Sequence, residues 1–161
     1  LFASNRLVLI IAKNHDNIST LRGLDKKGVK LVIAHEGVPV GDYFMQSLAN
    51  MHSSGLFGHE FSSRVIENVV SEETNVRQVV AKVAMGEADA GIAYKTDVTE
   101  YIKPEIDMVE IPQAYIPEIN YPIAKVSTSP NVDGGEAFIR YILSEKGQQI
   151  LKSHGFDGID K

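Results

Sequence analysis

Gly86-Glu87-Ala88-Asp89-Ala90-Gly91-Ile92-Ala93-Tyr94-Lys95-Thr96-Asp97-Val98 is the stretch that decides the fold. A helical run from Val76 to Met85 stops at Gly86, a residue that tolerates the left-handed conformation of a helix end. A short apolar run, Ala90 to Ala93, follows at once and delivers one tyrosine, Tyr94, at its carboxyl end. Helix, glycine stop and buried strand in direct succession are the building unit of an α/β architecture. Open α/β sheets place ligands beyond the carboxyl ends of their strands. Tyr94 therefore marks a candidate binding edge, and a lone phenol there points to recognition rather than catalysis.

The same alternation extends in both directions. Leu7 to Ala12 reads as a buried strand, Ser19 to Leu24 as a short helix capped by Ser19, and Leu31 to Ala34 as a second strand. Pro39 opens a helix reaching about Met51, and His52 to Ser63 is polar and Gly-rich. Val69 and Val70 suggest a very short strand. The next helix begins near Asn75, where Asn75 and Gln78 have capping-box spacing and Val76, Val79, Val80 and Val83 form the inner face. Beyond Tyr94, Thr96 is placed to cap a short helix reaching Tyr101. Met108 to Ile111 and Tyr121 to Val126 read as strands, and Gly135 to Leu143 and Glu145 to Ser153 as closing helices.

Composition bounds what such a chain does. Its 161 residues are 43% hydrophobic and 23% charged, which places it in the folded globular class. A net charge of −5 gives no general attraction to nucleic acid or anionic lipid, so an anion site here must be local. Without cysteine there are no disulfides, thiolate metal sites or thiol nucleophiles. The chain starts at Leu1 rather than Met and enters a buried-strand pattern almost immediately. The expectation is that something lies upstream.

Catalytic constellations are absent from the pattern. The five histidines form no i,i+3 or i,i+4 pair, and neither a nucleophile elbow nor a phosphate-loop lysine motif occurs. His35-Glu36 reads as a surface pair rather than a metal site, and Glu72-Glu73 and Asp157 to Lys161 as solvated faces. No metal and no cofactor are expected, and the chain is expected not to be an enzyme.

Anion binding has a better physical basis, because helix starts leave backbone N–H groups unpaired and carry partial positive charge. In Gly37-Val38-Pro39-Val40-Gly41-Asp42-Tyr43, Pro39 fits the first helical position, the Val40 amide is left free, and Gly41 would let a ligand approach the backbone. In Thr74-Asn75-Val76-Arg77 the Asn75 cap leaves the Val76 amide free. Arg77 could pair with such an anion, but is expected rather to bond Glu72, Glu73 or solvent. With the Tyr94 hydroxyl, three neutral donors at three strand ends would suit a small oxyanion. A proline at a helix start and a half-buried packing tyrosine are equally ordinary features.

These residues also carry a resemblance. Phe2-Ala3-Ser4-Asn5-Arg6-Leu7-Val8, Gly37 to Tyr43, Asn75-Val76-Arg77-Gln78-Val79 and Gly86 to Tyr94 occur in the order seen in the molybdate-binding proteins of ABC importers. Tyr121-Pro122-Ile123-Ala124, Ser144-Glu145-Lys146-Gly147-Gln148 and His154-Gly155-Phe156 continue the match across essentially the whole chain. The chain thus resembles a periplasmic-type solute-binding protein. The resemblance implies an α/β, periplasmic-binding-protein-like (type II) lobe with a mixed, mainly parallel sheet flanked by helices. It implies a molybdate or tungstate ligand held by the Val40 and Val76 amides and the Tyr94 hydroxyl, and a membrane permease as partner. It also implies a periplasmic or extracytoplasmic location, free or lipid-anchored. The same fold serves as the ligand-sensing domain of transcriptional regulators, the alternative reading.

Relatives of this type carry an N-terminal segment that builds most of a second lobe and supplies two serines to the anion. Residues 7–120 are then expected to form one lobe, and 121–161 a crossover strand and helices belonging to the other. Phe138, Tyr141, Ile142, Ile150 and Leu151 would need another surface to cover them, which leads us to expect self-association or fraying.

Overall fold

The computed structural model describes residues 1–13, 15 and 17–159. These fall into two compact units, one formed by Leu7–Pro117 and the other by Leu1–Arg6 with the stretch from Glu118 onward.

The first unit is built on five strands: β2 (Leu7–Ala12), β3 (Leu31–Ala34), β4 (Val69–Glu73), β5 (Ala90–Tyr94) and β6 (Ile106–Glu110), following β1 (Ala3–Asn5) in the chain. Their order across the sheet is β4-β3-β5-β2-β6. β3 pairs in parallel with β4 and β5, whereas β2 pairs antiparallel with β5 and β6. The sheet is mixed as expected, but parallel and antiparallel pairings are equal in number rather than mainly parallel. β2 comes before the first helical crossover and inserts on the far side of β5, where its direction opposes its neighbours'. Every residue of β2, β3 and the Ala90–Ala93 run is buried, as unbroken apolar runs require when a sheet is covered on both faces.

Helices α1 (Pro39–Ser53) and α2 (Phe61–Glu67) connect β3 to β4, and α3 (Val76–Ala84) connects β4 to β5. The first crossover moves one way along the sheet and the second moves back past β3, so right-handed connections put α1 and α3 on opposite faces. Gly91 lets α3 lie flush on β5: a Cβ there would stand 2.8 Å from Val79 Cγ1 and 3.0 Å from Val83 Cγ2. Phe44, Leu48 and Met51 of α1 and Val79, Val80 and Val83 of α3 supply the helical side of the core. Gly86 adopts φ +72° and ends α3 as its sequence position indicates.

Local differences from the sequence reading have physical causes. Residues Leu21–Asp25 form a 3₁₀ turn, with Thr20 rather than Ser19 at its start and no side-chain cap. A segment this short cannot offset helix nucleation. Helix α2 emerges from within the polar stretch because Phe61 and Val65, one turn apart, are both buried. Lys95–Asp97 is a single 3₁₀ turn instead of a helix reaching Tyr101.

In the second unit β1 pairs antiparallel with β7 (Ile119–Tyr121), so Ile119 and Asn120 lie opposite Asn5 and Ser4. The expected strand to Val126 stops at Tyr121, where Pro122 lacks the N–H that a ladder needs. Tyr121 packs on Phe2 and, edge to face at 5.7 Å, on Phe156. Arg6 grips both carboxylate oxygens of Asp157, which is therefore an ion-pair partner rather than part of a solvated face; positions 160 and 161 of that expected face lie outside the described residues. Helices α4 (Val132–Ile142) and α5 (Glu145–Ser153) follow, capped by Asn131 and Ser144. α4 has no buried residue, and Phe138 is 57% exposed.

Candidate functional site

Three adjacent parallel strands, β4, β3 and β5, end on the same edge of the sheet. Local interactions shape the chain beyond each of these ends. After β3, the His35 amide donates to Glu73 O of β4 at 3.0 Å, and the Val38 amide turns back to His35 O. Gly37, at φ +85°, donates its amide to the Asp42 carboxylate of the first helical turn at 2.9 Å. Val38 is extended and Pro39 begins α1. The side chain of Val40 is buried, while among the described residues nothing accepts its amide hydrogen.

Gly41 has a different role from the one its sequence position implies. A Cβ at Gly41 would collide with the Ala34 carbonyl oxygen and lie 2.8 Å from the His35 carbonyl oxygen. The glycine is buried, and it lets the helix start press onto the end of its own strand rather than admitting a ligand.

After β4, Asn75 Oδ1 accepts from the Gln78 amide at 3.1 Å. The reciprocal arm of the expected capping box shifts by one residue, because Gln78 Oε1 accepts from the amide and hydroxyl of Thr74. Val76 is the first helical residue, half-buried, and its amide likewise has no acceptor among the described residues. Glu73 is not a solvated acid. It binds the Lys82 ammonium and the Ser71 hydroxyl, which together hold its carboxyl below the usual glutamate range.

At the end of β5, the half-buried Tyr94 meets Tyr43 edge to face, with ring centroids 6.5 Å apart. Tyr43 lies three residues beyond Val40, so this contact ties the β5 end to the first turn of α1. The Tyr94 amide donates to Asp97 Oδ2 at 3.2 Å. Burial pushes the Asp97 carboxyl above the usual aspartate range, opposed by the Tyr94 amide and by the positive charge of Arg77. Arg77 is exposed to solvent, one of the surroundings its sequence position allows. Asp97 was missed by the sequence reading; its signal was an acid three residues after a strand-ending tyrosine.

Val40, Val76 and Tyr94 therefore lie at one sheet edge, at or just beyond three neighbouring strand ends. Two helix-start amides and a phenol form a neutral donor set, suited to an anion and unsuited to a cation. Among the described residues no cluster of three or more His, Asp or Glu side chains is arranged to hold a metal. A cavity of about 400 Å³ lined by His15, Ile18, Lys26, Gly28 and Asp89 lies elsewhere, where β3 and β5 begin.

The family model described as bacterial extracellular solute-binding protein matches residues 2–157. Molybdate-binding protein ModA of Mycobacterium bovis is 28% identical over 156 residues, covering 96% of this chain and 55% of the relative. A Bacillus subtilis protein named as an ABC transporter substrate-binding lipoprotein, YvgL, is 26% identical over 155 residues, with 94% and 55% covered. Among solved structures, the substrate-binding domain assigned to a molybdenum ABC transporter of Clostridium difficile superposes with a TM-score of 0.81. It is 28% identical, and the match covers 99% of this chain and 66% of that one. The chain spans about half the length of the curated relatives it matches. By a match that runs almost from end to end, the chain belongs to the bacterial extracellular solute-binding proteins.

Proposed function

We propose that this chain forms part of the substrate-binding component of an ABC importer and binds a tetrahedral oxyanion, molybdate or tungstate. The Val40 and Val76 amides and the Tyr94 hydroxyl would donate to its oxygens. The observation that carries this reading is the convergence of three adjacent parallel strand ends, two leading into helices whose first amides have no acceptor among the described residues. Similarity to a molybdate-binding protein along 96% of the chain supports the choice of anion. In this reading residues 7–120 act as one lobe and 121–161 belong to a second, and the anion-loaded binding component is what a membrane permease would detect. The location is extracytoplasmic, free or lipid-anchored.

Each hydrogen bond to a charged oxyanion contributes roughly 1.5–3 kcal/mol. The 161-residue chain, offering one lobe's donors, is expected to bind molybdate weakly. Amide NMR during titration with molybdate, tungstate and sulfate tests this. Shifts centred on Val40, Val76 and Tyr94 are expected with the first two anions. Shifts centred elsewhere, or none at millimolar anion, would overturn the site.

A further inference from the structure

Asp97 is a half-buried acid at an edge proposed to receive an anion, and neutral-donor recognition does not explain it. Its carboxylate holds the Tyr94 amide at 3.2 Å, at the point where the chain leaves β5 for the Lys95–Asp97 turn. Lys95, on the same turn, is drawn away to Glu110 of β6 at 3.0 Å. Arg77, exposed in the first turn of α3, is a positive charge that acts to lower the Asp97 carboxyl, the least of the influences on it. Other charges at this edge are the Asp42 carboxylate in the first turn of α1 and the Glu73–Lys82 ion pair at the end of β4, and Tyr43 of α1 meets Tyr94.

We propose that Asp97 is a positioning and affinity-setting residue: it fixes the backbone that presents Tyr94, and its charge, balanced by Arg77, weakens the hold on the anion. The proposal rests on the oxyanion reading of Tyr94, Val40 and Val76. Its physical content is a division of labour. The backbone contact needs only a hydrogen-bond acceptor, which an asparagine also supplies. The opposing charge needs the carboxylate, which an asparagine lacks. Arg77, at a helix start where positive charge already gathers, reinforces attraction for an anion. Together the pair would keep an anion releasable, which suits a binding protein that must hand its cargo on.

Asp97→Asn and Arg77→Gln separate these effects in molybdate titrations of the 161-residue chain at neutral pH, followed by amide NMR. Asp97→Asn is expected to bind about three- to tenfold more tightly and Arg77→Gln about as much more weakly, the scale of one partly screened charge. Both differences should shrink as potassium chloride is raised, which a purely structural effect would not do. Exchange of the Tyr94 amide should stay slow in Asp97→Asn and quicken in Asp97→Ala. An Asp97→Asn chain that binds no more tightly than wild type, or an Arg77→Gln chain with unchanged affinity, overturns the charge assignment. Unchanged Tyr94 exchange in Asp97→Ala overturns the positioning role. If the wild-type chain shows no molybdate shifts at Val40 and Val76, the oxyanion reading itself has failed. Arg77 is exposed, so its variant should fold even if changes at Asp97 disturb the turn.

Discussion

Gly41 and Ala34 meet so closely that no side chain fits between them: a Cβ on Gly41 would run into the Ala34 carbonyl oxygen, with the His35 carbonyl oxygen 2.8 Å away. Both obstacles are backbone at the end of a buried strand, so neither can rotate aside. The first turn of α1 keeps its place only while residue 41 is glycine. Gly41→Ala should therefore destabilise the fold by about 1–3 kcal/mol, the usual range for an overpacked interior. Chemical denaturation measures it without any ligand. An unchanged midpoint would return Gly41 to the ligand-access role its sequence position suggested.

Val76 offers a clean way to delete one donor. It is the first residue of α3, where proline is tolerated, and the preceding Asn75 is already extended, at φ −160° and ψ 159°. Val76→Pro should leave the melting temperature nearly unchanged while removing the N–H. Molybdate affinity should fall by roughly one to two powers of ten, the equivalent of one charge-assisted hydrogen bond. Tyr94→Phe should do the same through the hydroxyl. Affinity indifferent to both changes would move the site away from this edge.

Glu73 and Lys82 give stability an acid limb. The folded state holds the Glu73 carboxyl below its ordinary range, chiefly through hydrogen bonding to Lys82 and then to Ser71. A depressed acid stabilises the fold fully above the unfolded value, and that contribution is lost as pH falls through the lowered folded value. Melting temperatures measured downward from pH 6 should fall more steeply in wild type than in Lys82→Met. Parallel curves would show that the pair contributes nothing.

The last two helices leave an apolar face open. Phe138 is 57% exposed, Tyr141 45% and Ile150 42%. We expect the 161-residue chain to self-associate through this face in a concentration-dependent way, and Phe138→Ser with Ile150→Ser to restore a monomer. Light scattering decides it; a wild-type monomer at high concentration would remove self-association from consideration.

Elements whose signals are local were legible in the chain. The strand Leu7–Ala12 and the helix Glu145–Ser153 have the limits their sequence suggests, because an unbroken apolar run and a Ser cap with a glycine stop act within a few residues. The end of β5 at Tyr94 and the helix starts at Pro39 and Val76 were equally plain. Helix α2 was hidden because only the burial of Phe61 and Val65 defines it. Strand β1 was hidden because three residues become a strand only when Ile119–Tyr121 comes to lie beside them.

The sequence by itself determined where β2 runs, where β5 ends and where α1, α3 and α5 begin, and hence that Tyr94, the residue the opening stretch delivers, closes a buried strand. Those properties come from side-chain period, capping and backbone freedom over a handful of neighbouring positions. Only the tertiary structure decided that β4, β3 and β5 lie side by side in parallel, bringing Val40, Val76 and Tyr94 to one edge. It alone turned Gly41 inward against Ala34 and paired Arg6 with Asp157. Strand order and charge pairing are fixed by contacts between residues far apart in the chain, and no local pattern encodes them.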